Sequence, residues 1–369
     1  MKVGVPKETA AGERRVALVP DVAKRLAGAG VEVVIESGAG LEASFTDAAY
    51  EEAGARIVPD VYPEAGLVCK VQKPSPAEVD RLSSGQALVA LLQPLVNAEL
   101  VQALAARGVT AFSMDAIPRI SRAQPMDALS SQATVAGYKA AVLAASELTR
   151  FFPMLTTAAG TIAPAKVLIL GAGVAGLQAI ATARRLGAVV SAFDTRPVVQ
   201  EQVESLGARF LELDVEGAEG RGGYAVALSE DQHHREQELI TMHVGESDAV
   251  ITTALIPGKP APVLITAEAV GKMRPGSVIV DLAAEMGGNC ELTVPGERAV
   301  SPGGVVLLGY TNLPSTMPAH ASQMYGRNVL SFLQNMLKDG ELVLDFEDQI
   351  VRETCVAHEG RVLREPVLA

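Results

Sequence analysis

The sequence predicts an α/β protein with two domains, each a parallel sheet with flanking helices, joined by long helices. Three observations predict this class. The chain has 369 residues, which is long for one hydrophobic core and suits two. Short β-rich runs alternate with helical patterns in both halves of the chain, and a long helical pattern at about 127–150 separates the halves. Such alternation is typical of parallel strands connected by crossover helices.

The first domain is predicted over residues 1–126. Its β-rich runs are VGV, VEVVIES, LVCKV, ALVALL and TAFS, with helical patterns such as PDVAKRLAGAG and NAELVQALAARG between them. These helical patterns end in glycine, a common stop signal at a helix C-terminus. Another long helical pattern follows Pro314, and we expect it to return to this domain, so that residues 319–369 complete it. The tail after that helix fits no single pattern.

The second domain is predicted over residues 127–318 and includes the linking helix. Six β-rich runs follow that helix, namely KVLIL, AVVSAF, ARFLEL, DAVITT, SVIVDL and GVVLLG. Six strands with helices between them make a complete dinucleotide-binding sheet. Both domains are therefore predicted to be Rossmann-like.

Composition and charge exclude several classes of protein. The net charge is −12, whereas a nucleic-acid partner or an anionic membrane surface would require a basic face. Cys69, Cys290 and Cys355 lie far apart, which argues against disulfides and against a zinc site, so no metal is expected. The first residues lack the apolar core of a signal peptide, and no apolar run approaches the roughly 18 residues of a membrane span. We therefore expect a cytoplasmic protein without direct membrane insertion.

A glycine motif opens the second domain. Gly171, Gly173 and Gly176 form G-x-G-x-x-G directly after the run KVLIL and directly before a helical pattern. The first glycine permits the tight turn, the second lets a pyrophosphate approach the backbone, and the third lets helix and strand pack closely. Backbone N–H groups at the helix start then face the phosphates. We expect the whole turn, with Val174 and Ala175, to bind a dinucleotide.

An acidic residue follows the next predicted strand. Asp194 lies near the spacing of about 20 residues at which a carboxylate takes the ribose hydroxyls, and Thr195 and Arg196 come next. Because a carboxylate would repel a 2′-phosphate, Asp194 favours NAD(H) over NADP(H) as the cofactor, although Arg196 weakens this preference. An ordinary glycine turn is the alternative interpretation.

Two further loops are candidates for the same site. TTALIPG follows the fourth β-rich run, so Thr253, Ala254 and Leu255 lie at the carboxyl end of a strand, where such folds bind ligands. A plain turn is the alternative. EGAEGRGGYAVAL, residues 216–228, holds four glycines around Tyr224 and is expected to close as a lid. An insertion without a role is the alternative there.

The stretch RISRAQPMDALSSQA carries more polar groups than a helix start needs. Asp127 or Ser130 alone would be enough to cap the following helix. A cap does not explain Arg119 and Gln124. Residues 1–150 contain no histidine, which excludes acid–base catalysis by a histidine of the first domain.

The chain resembles the family shared by alanine dehydrogenase and the NAD-binding subunit of proton-translocating nicotinamide nucleotide transhydrogenase. The resemblance covers nearly the whole chain and rests on GVPKE, ERRVAL, KVQKP, GAGVAG, FDTRP, TTALIPG and DLAAEMGGN. Alanine dehydrogenases have a lysine that binds the keto acid at the position of Gln72. Their proton-relaying histidine falls in the segment like LVALLQP, which has Gln93 here. Neither glutamine shuttles a proton, and PRISRAQPMDALSSQA matches the transhydrogenase branch closely.

The resemblance implies functional details. In the family the polar loop holds the nicotinamide of NAD(H), and the correspondence falls on Arg119, Gln124, Asp127 and Ser130 as catalytic residues. Hydride would pass between NAD(H) here and NADP(H) on an NADP-binding beta subunit, coupled to proton translocation by membrane-spanning subunits. That transfer needs no general acid or base, only two rings at about 3–3.5 Å with water excluded. A homodimer, held at the cytoplasmic face of the membrane through its partners, is also implied.

Two alternatives remain open. An amino-acid dehydrogenase like alanine dehydrogenase would oxidise NADH with pyruvate and ammonium on its own. A non-enzymatic module that senses NAD(H) would bind the nucleotide and complete no hydride transfer with any partner.

Overall fold

The computed structural model describes residues 1–212, 230–256 and 258–363. The chain divides into two compact units, one formed by Met1–Gln132 with Pro314–Ala369 and the other by Ala133–Leu313. The first unit is therefore made of two separate stretches of chain, and the second unit lies between them in the sequence.

The described residues form nineteen strands and eleven α-helices. The strands are β1 (Lys2–Val5), β2 (Glu32–Glu36), β3 (Arg56–Val58), β4 (Leu67–Gln72), β5 (Ala87–Leu91), β6 (Thr110–Ser113), β7 (Leu155–Thr157), β8 (Gly160–Ile162), β9 (Lys166–Leu170), β10 (Val189–Phe193), β11 (Arg209–Phe210), β12 (Ala249–Thr252), β13 (Val278–Asp281), β14 (Arg298–Val300), β15 (Val306–Leu308), β16 (Leu337–Lys338), β17 (Glu341–Leu342), β18 (Cys355–His358) and β19 (Arg361–Val362). The helices are α1 (Pro20–Gly28), α2 (Asp47–Glu52), α3 (Pro76–Arg81), α4 (Ala98–Ala106), α5 (Ala128–Glu147), α6 (Val174–Arg185), α7 (Gln200–Ser205), α8 (Glu230–Glu246), α9 (Ala267–Gly271), α10 (Pro318–Met336) and α11 (Gln349–Thr354).

The sheet of the first unit has the strand order β19-β18-β6-β5-β4-β1-β2-β3. Strands β1 to β6 are parallel, and Val3 of β1 lies in register with Val33 of β2 and Leu67 of β4. β18 pairs antiparallel with β6, and β19 pairs antiparallel with β18. The tail that fits no local pattern thus forms an edge of this sheet, since β18 depends on a partner far away in the sequence.

The larger sheet of the second unit has the strand order β11-β10-β9-β12-β13-β15-β14. The six strands from β11 to β15 in this order are parallel. The chain runs outward from β9 through β10 to β11 and then crosses back to β12 on the other side of β9. The order reverses between β9 and β12, the point where such sheets bind ligands. β14, which pairs antiparallel with β15, is a strand that the sequence analysis missed.

Apolar residues cover both faces of each large sheet. In β9, Val167 and Ile169 belong to one buried cluster, whereas Leu168 and Leu170 belong to another. A parallel strand covered on both faces reads as a near-continuous apolar run, which explains KVLIL. The first unit likewise has a buried cluster on each face of its sheet. The predicted fold class, two α/β units of mainly parallel strands with flanking helices, is confirmed.

The length and polarity of the helices bear on membrane insertion. Among the described residues, no helix is both long enough and apolar enough to cross a membrane.

Candidate functional site

The glycine turn between β9 and α6 has the geometry that its sequence predicts. Gly171 has φ of +95°, a conformation that side chains strongly disfavour. A Cβ atom on Gly176 would lie 1.9 Å from the carbonyl oxygen of Gly171, so only glycine lets α6 begin directly on the turn. The first and third glycines therefore fix the backbone of the turn.

The second glycine leaves an open approach to the helix start. An added Cβ on Gly173 would meet nothing within 4 Å, and among the described residues no side chain caps α6 there. Val174 is 42% exposed, and Ala175 and Gly176 complete the first turn. Backbone N–H groups at an uncapped helix start favour an anion, so this turn can accept a phosphate group.

Asp194 connects β10 to the glycine turn. Its Oδ2 accepts a hydrogen bond of 2.7 Å from the backbone N–H of Ala172. Arg196 folds back and donates from Nε to Oδ1 at 2.9 Å and from Nη2 to Oδ2 at 2.8 Å. The carboxylate is thus paired with a cation, and it accepts a fourth hydrogen bond at Oδ1 from the backbone N–H of Arg196 at 2.9 Å. Thr195 lies between the two, partly buried.

The segment that follows β12 is the third part of this site. The hydroxyl of Thr253 donates to the carbonyl oxygen of Gly171 at 3.0 Å. Ala254 is partly buried, and Leu255 is 43% exposed. The structure therefore brings the glycine turn, Asp194 and the Thr253–Leu255 segment together at the carboxyl ends of three adjacent strands. Tyr224 and residues 216–228 lie outside the described residues.

The segment DLAAEMGGN supports this edge from β13, a role that sequence analysis missed. Asp281 is 1% exposed and Asn289 is 0% exposed. The backbone N–H of Asn289 donates to Oδ2 of Asp281 at 2.8 Å, and the Asn289 carboxamide bonds Ala254. A buried aspartate at the end of a strand, followed by G-G-N, was the available signal.

The polar stretch of the first unit contains a 3-10 turn, Ser121–Met126, and the start of α5. Asp127 accepts from the backbone N–H of Ser130 at 2.8 Å and from its hydroxyl at 2.6 Å, so Asp127 caps α5. Arg119 and Gln124 are exposed at the surface of this unit. The catalytic roles of these four residues stay predictions.

Arg122 anchors the same turn, although the sequence analysis gave it no role. It donates from Nη2 to Oδ1 of Asp348 at 2.7 Å and from Nη1 to Oδ2 at 2.9 Å. The hydrogen bonds and charge of Arg122 hold the pKa of Asp348 well below its usual range. A bidentate pair of this kind fixes direction as well as distance.

A buried ion pair lies at the end of β4 in the first unit. Glu13 accepts from Arg15 at two atoms, Nε to Oε1 at 2.8 Å and Nη2 to Oε2 at 2.7 Å. Gln72 donates from Nε2 to Oε2 of Glu13 at 2.9 Å. Burial raises the pKa of Glu13, but the hydrogen bonds and charge of Arg15 outweigh burial and lower it to about 2. Gln93 is exposed, with φ of +49°.

Two family models together match most of the chain. The model described as Alanine dehydrogenase/PNT, N-terminal domain, matches residues 4–136. The model described as Alanine dehydrogenase/PNT, C-terminal domain, matches residues 140–365. The second match includes the glycine turn, Asp194 and the segment after β12.

Known proteins are similar over the full length of the chain. The first part of NAD(P) transhydrogenase subunit alpha of Rhodospirillum rubrum is 50% identical over 376 residues, with 98% of each chain covered. The structure of transhydrogenase from Sinorhizobium meliloti matches with a TM-score of 0.91 and 44% identity, over 98% of this chain and 100% of that one. An L-alanine dehydrogenase structure matches with a TM-score of 0.82 and 30% identity, over 98% and 96%. The resemblance seen in the sequence is confirmed, and the chain belongs to the alanine dehydrogenase/PNT family.

Proposed function

We propose that this chain is the NAD(H)-binding component of a transhydrogenase and exchanges hydride with NADP(H) on a partner subunit. One observation carries the proposal: an uncapped glycine turn beside Asp194, at the point where the strand order reverses. The 50% identity to the first part of NAD(P) transhydrogenase subunit alpha of Rhodospirillum rubrum supports the choice of reaction.

The residues at the strand ends fit the parts of NAD(H). The start of α6, from Gly173 to Gly176, takes the pyrophosphate, because its N–H groups and helix dipole favour negative charge. Asp194 takes the adenosine ribose hydroxyls, and Thr195 and Arg196 border that end. The Thr253–Leu255 segment forms another side of the dinucleotide site. Bound NAD(H) supplies the hydride or accepts it.

The choice of hydride exchange over amino-acid oxidation rests on the first unit. Reductive amination needs proton transfer, and alanine dehydrogenases use a lysine and a histidine at the positions of Gln72 and Gln93. A carboxamide does not titrate, and the Gln72 carboxamide donates a hydrogen bond to the carboxylate of Glu13. Hydride transfer between two nicotinamides instead requires that both rings are placed correctly and that water is excluded, and fixed polar groups provide the placement.

Arg119, Gln124, Asp127 and Ser130 are proposed to hold the nicotinamide end. Asp127 would act mainly by fixing Ser130, since its carboxylate bonds both the N–H and the hydroxyl of that residue. Pro125 inside the 3-10 turn and the pair between Arg122 and Asp348 restrict the loop. A restricted loop holds its donors in place without further loss of conformational entropy.

Partner subunits complete the proposed enzyme. NADP(H) would be held by a beta subunit, and membrane-spanning subunits would couple the exchange to proton flow and keep this chain at the cytoplasmic face. A homodimer is proposed as well, supported by an exposed hairpin of β7 and β8. Near or within that hairpin Phe151, Met154 and Ile162 are 52%, 60% and 46% exposed. An isolated two-stranded hairpin is only marginally stable in water, so a second copy that covers it would stabilise it.

Single-turnover hydride transfer tests the proposal. The chain is mixed with an NADP-binding partner subunit, and reduction of NADP⁺ by NADH is followed in the wild type and in Gln124→Ala. If the loop aligns the rings, NADH affinity stays within about tenfold, or about 1.4 kcal/mol. The transfer rate falls by about a hundredfold, because a displacement of about 1 Å can reduce a rate that much.

The same experiment separates the alternatives. NADH oxidation by this chain alone with pyruvate and ammonium would identify an amino-acid dehydrogenase. NADH binding without transfer to any partner would identify a sensing module. Equal losses of affinity and rate in Gln124→Ala would make the loop a simple binding site rather than an aligning one.

A further inference from the structure

We infer that Asn289 is a positioning residue for the dinucleotide site, because its carboxamide holds the backbone of Ala254 on both sides. Oδ1 of Asn289 accepts from the backbone N–H of Ala254 at 3.0 Å, and Nδ2 donates to the Ala254 carbonyl oxygen at 2.9 Å. The second hydrogen of Nδ2 goes to the carbonyl oxygen of Pro262 at 2.8 Å. This inference rests on the proposed role of the Thr253–Leu255 segment.

The side chain of Asn289 replaces a missing strand partner. β12 ends at Thr252, so Ala254 lies beyond the ladder, where a neighbouring strand would otherwise bond its N–H and carbonyl groups. A carboxamide carries the same donor and acceptor as a peptide group. With three hydrogen bonds and no exposed surface, Asn289 fixes the conformation of the segment that leaves β12.

Asp281 in turn fixes Asn289. The Asp281 carboxylate accepts five hydrogen bonds, from the hydroxyls of Thr252 and Thr293 and from the backbone N–H groups of Ala283, Asn289 and Cys290, at 2.7 to 3.0 Å. Bonds to a charged acceptor are stronger than neutral ones. The carboxylate at the end of β13 thus determines where the Asn289 backbone lies.

Gly288 makes this close approach sterically feasible. It has φ of +87°, and an added Cβ would lie 2.8 Å from Oδ2 of Asp281. Gly287 also has a positive φ, of +101°. The residues of DLAAEMGGN therefore act together. The aspartate fixes the turn, the glycines permit its close approach to the aspartate, and the asparagine holds the backbone of Ala254.

Gln86 in the first unit provides a matched control. Its Nε2 donates to the carbonyl oxygens of Tyr62 and Ala65 at 2.7 and 2.6 Å, and its Oε1 accepts from the backbone N–H of Ser83 at 2.6 Å. Like Asn289 it is a buried carboxamide with two donor bonds and one acceptor bond to the backbone. It lies just before β5 starts, at the amino end of a strand.

The test measures NADH dissociation constants and urea unfolding of the full-length chain in Asn289→Asp, Asn289→Ala, Gln86→Glu and Gln86→Ala. An acidic side chain cannot donate to two carbonyl oxygens while ionised, so both acidic variants lose comparable stability. We expect the NADH dissociation constant to rise about tenfold or more in each Asn289 variant, equivalent to about 1.4 kcal/mol. The Gln86 variants should change it by less than about twofold, or about 0.4 kcal/mol.

The outcomes discriminate between explanations. All affinities are measured where unfolding curves show each variant to be folded, and Asn289→Ala carries the comparison if the acidic variant does not fold. Equal changes of NADH affinity in the Asn289 and Gln86 variants would reduce Asn289 to a stabilising residue and overturn the inference. NADH binding that both Asn289 variants leave intact would overturn this inference alone, whereas absence of NADH binding by the wild type would overturn the proposed function with it.

Discussion

At the scale of single residues, Glu13 and Arg15 form a buried ion pair in the first unit. Glu13 is 8% exposed and Arg15 is 3% exposed, so both charges are taken out of water and depend on each other. The folded-state pKa of Glu13, about 2, lies below the ordinary 4.5. A depressed pKa means that the pair stabilises the fold above about pH 4.5, and that this contribution is lost as the pH falls toward about 2.

We expect Glu13→Gln to lower the free energy of unfolding by about 3 kcal/mol at neutral pH, because it leaves a buried arginine without its carboxylate. The variant should also lose less stability than the wild type between about pH 5 and about pH 3, since that titration is absent. Urea unfolding at several pH values measures both effects. Glu42→Gln is the control, because Glu42 pairs with Arg14 at the surface and such pairs contribute about 0–1 kcal/mol. Parallel pH curves for Glu13→Gln and wild type would contradict this account.

The hydrogen bond between Asp194 and the glycine turn adds to the expected effect of substituting Asp194. A bare carboxylate would only exclude NADPH, but this one also accepts a hydrogen bond from Ala172 in the glycine turn. Asp194→Ala should therefore weaken NADH binding. It should also reduce the ratio of the NADPH to the NADH dissociation constant by about tenfold, or about 1.4 kcal/mol. Calorimetric titration with both nucleotides is the measurement, and equal affinities of the wild type for the two would refute the assignment of the adenosine end.

At the scale of elements, α5 and α6 meet through a glycine. A Cβ on Gly137 would lie 2.0 Å from the carbonyl oxygen of Ala175, in the first turn of α6. The backbone cannot give way there without moving the helix start that is proposed to bind phosphates. Gly137→Ala should cost about 1–3 kcal/mol of stability and weaken NADH binding. Gly271→Ala, in α9 with open space around the new methyl group, should leave both unchanged or raise stability by about 0.5–1 kcal/mol. Thermal unfolding and NADH titration of the two variants decide the matter.

Local patterns predicted the elements that depend on local rules. The turn of Gly171 and Gly176 was predictable because backbone conformation and close packing impose glycine directly. β14 and β18 were missed because each is short and becomes a strand only beside a partner set by the whole fold. Asn289 was missed for a related reason: a single asparagine gives no pattern, and its function depends on Ala254 more than thirty residues away.

At the scale of the whole molecule, the exposed hairpin of β7 and β8 bears on the proposed homodimer. Met154→Ser with Ile162→Ser removes apolar surface that is already exposed, so a monomer would lose little stability. If a second copy covers this hairpin, the double variant should weaken self-association by about tenfold or more. Sedimentation equilibrium over a range of concentrations measures it, with Val294→Ser, also exposed but elsewhere in the second unit, as the control. A wild-type chain that stays monomeric would end the homodimer proposal.

The split of the first unit into two stretches of sequence has a consequence for biosynthesis. A ribosome releases Ala133–Leu313 before it releases the segment from Pro314 onward, so the second unit can complete its sheet while the first is still unfinished. Until β18 emerges, one edge of β6 is unpaired. Until α10 emerges, Phe112 lacks the contacts that Tyr325 and other α10 residues make in their shared buried cluster. Unpaired edges and exposed apolar surface promote aggregation, and synthesis proceeds at about 5–20 residues per second. We therefore expect the stretch before Ala133 to wait many seconds for the segment that completes its sheet and its buried cluster, with an open edge and apolar surface that chaperones recognise.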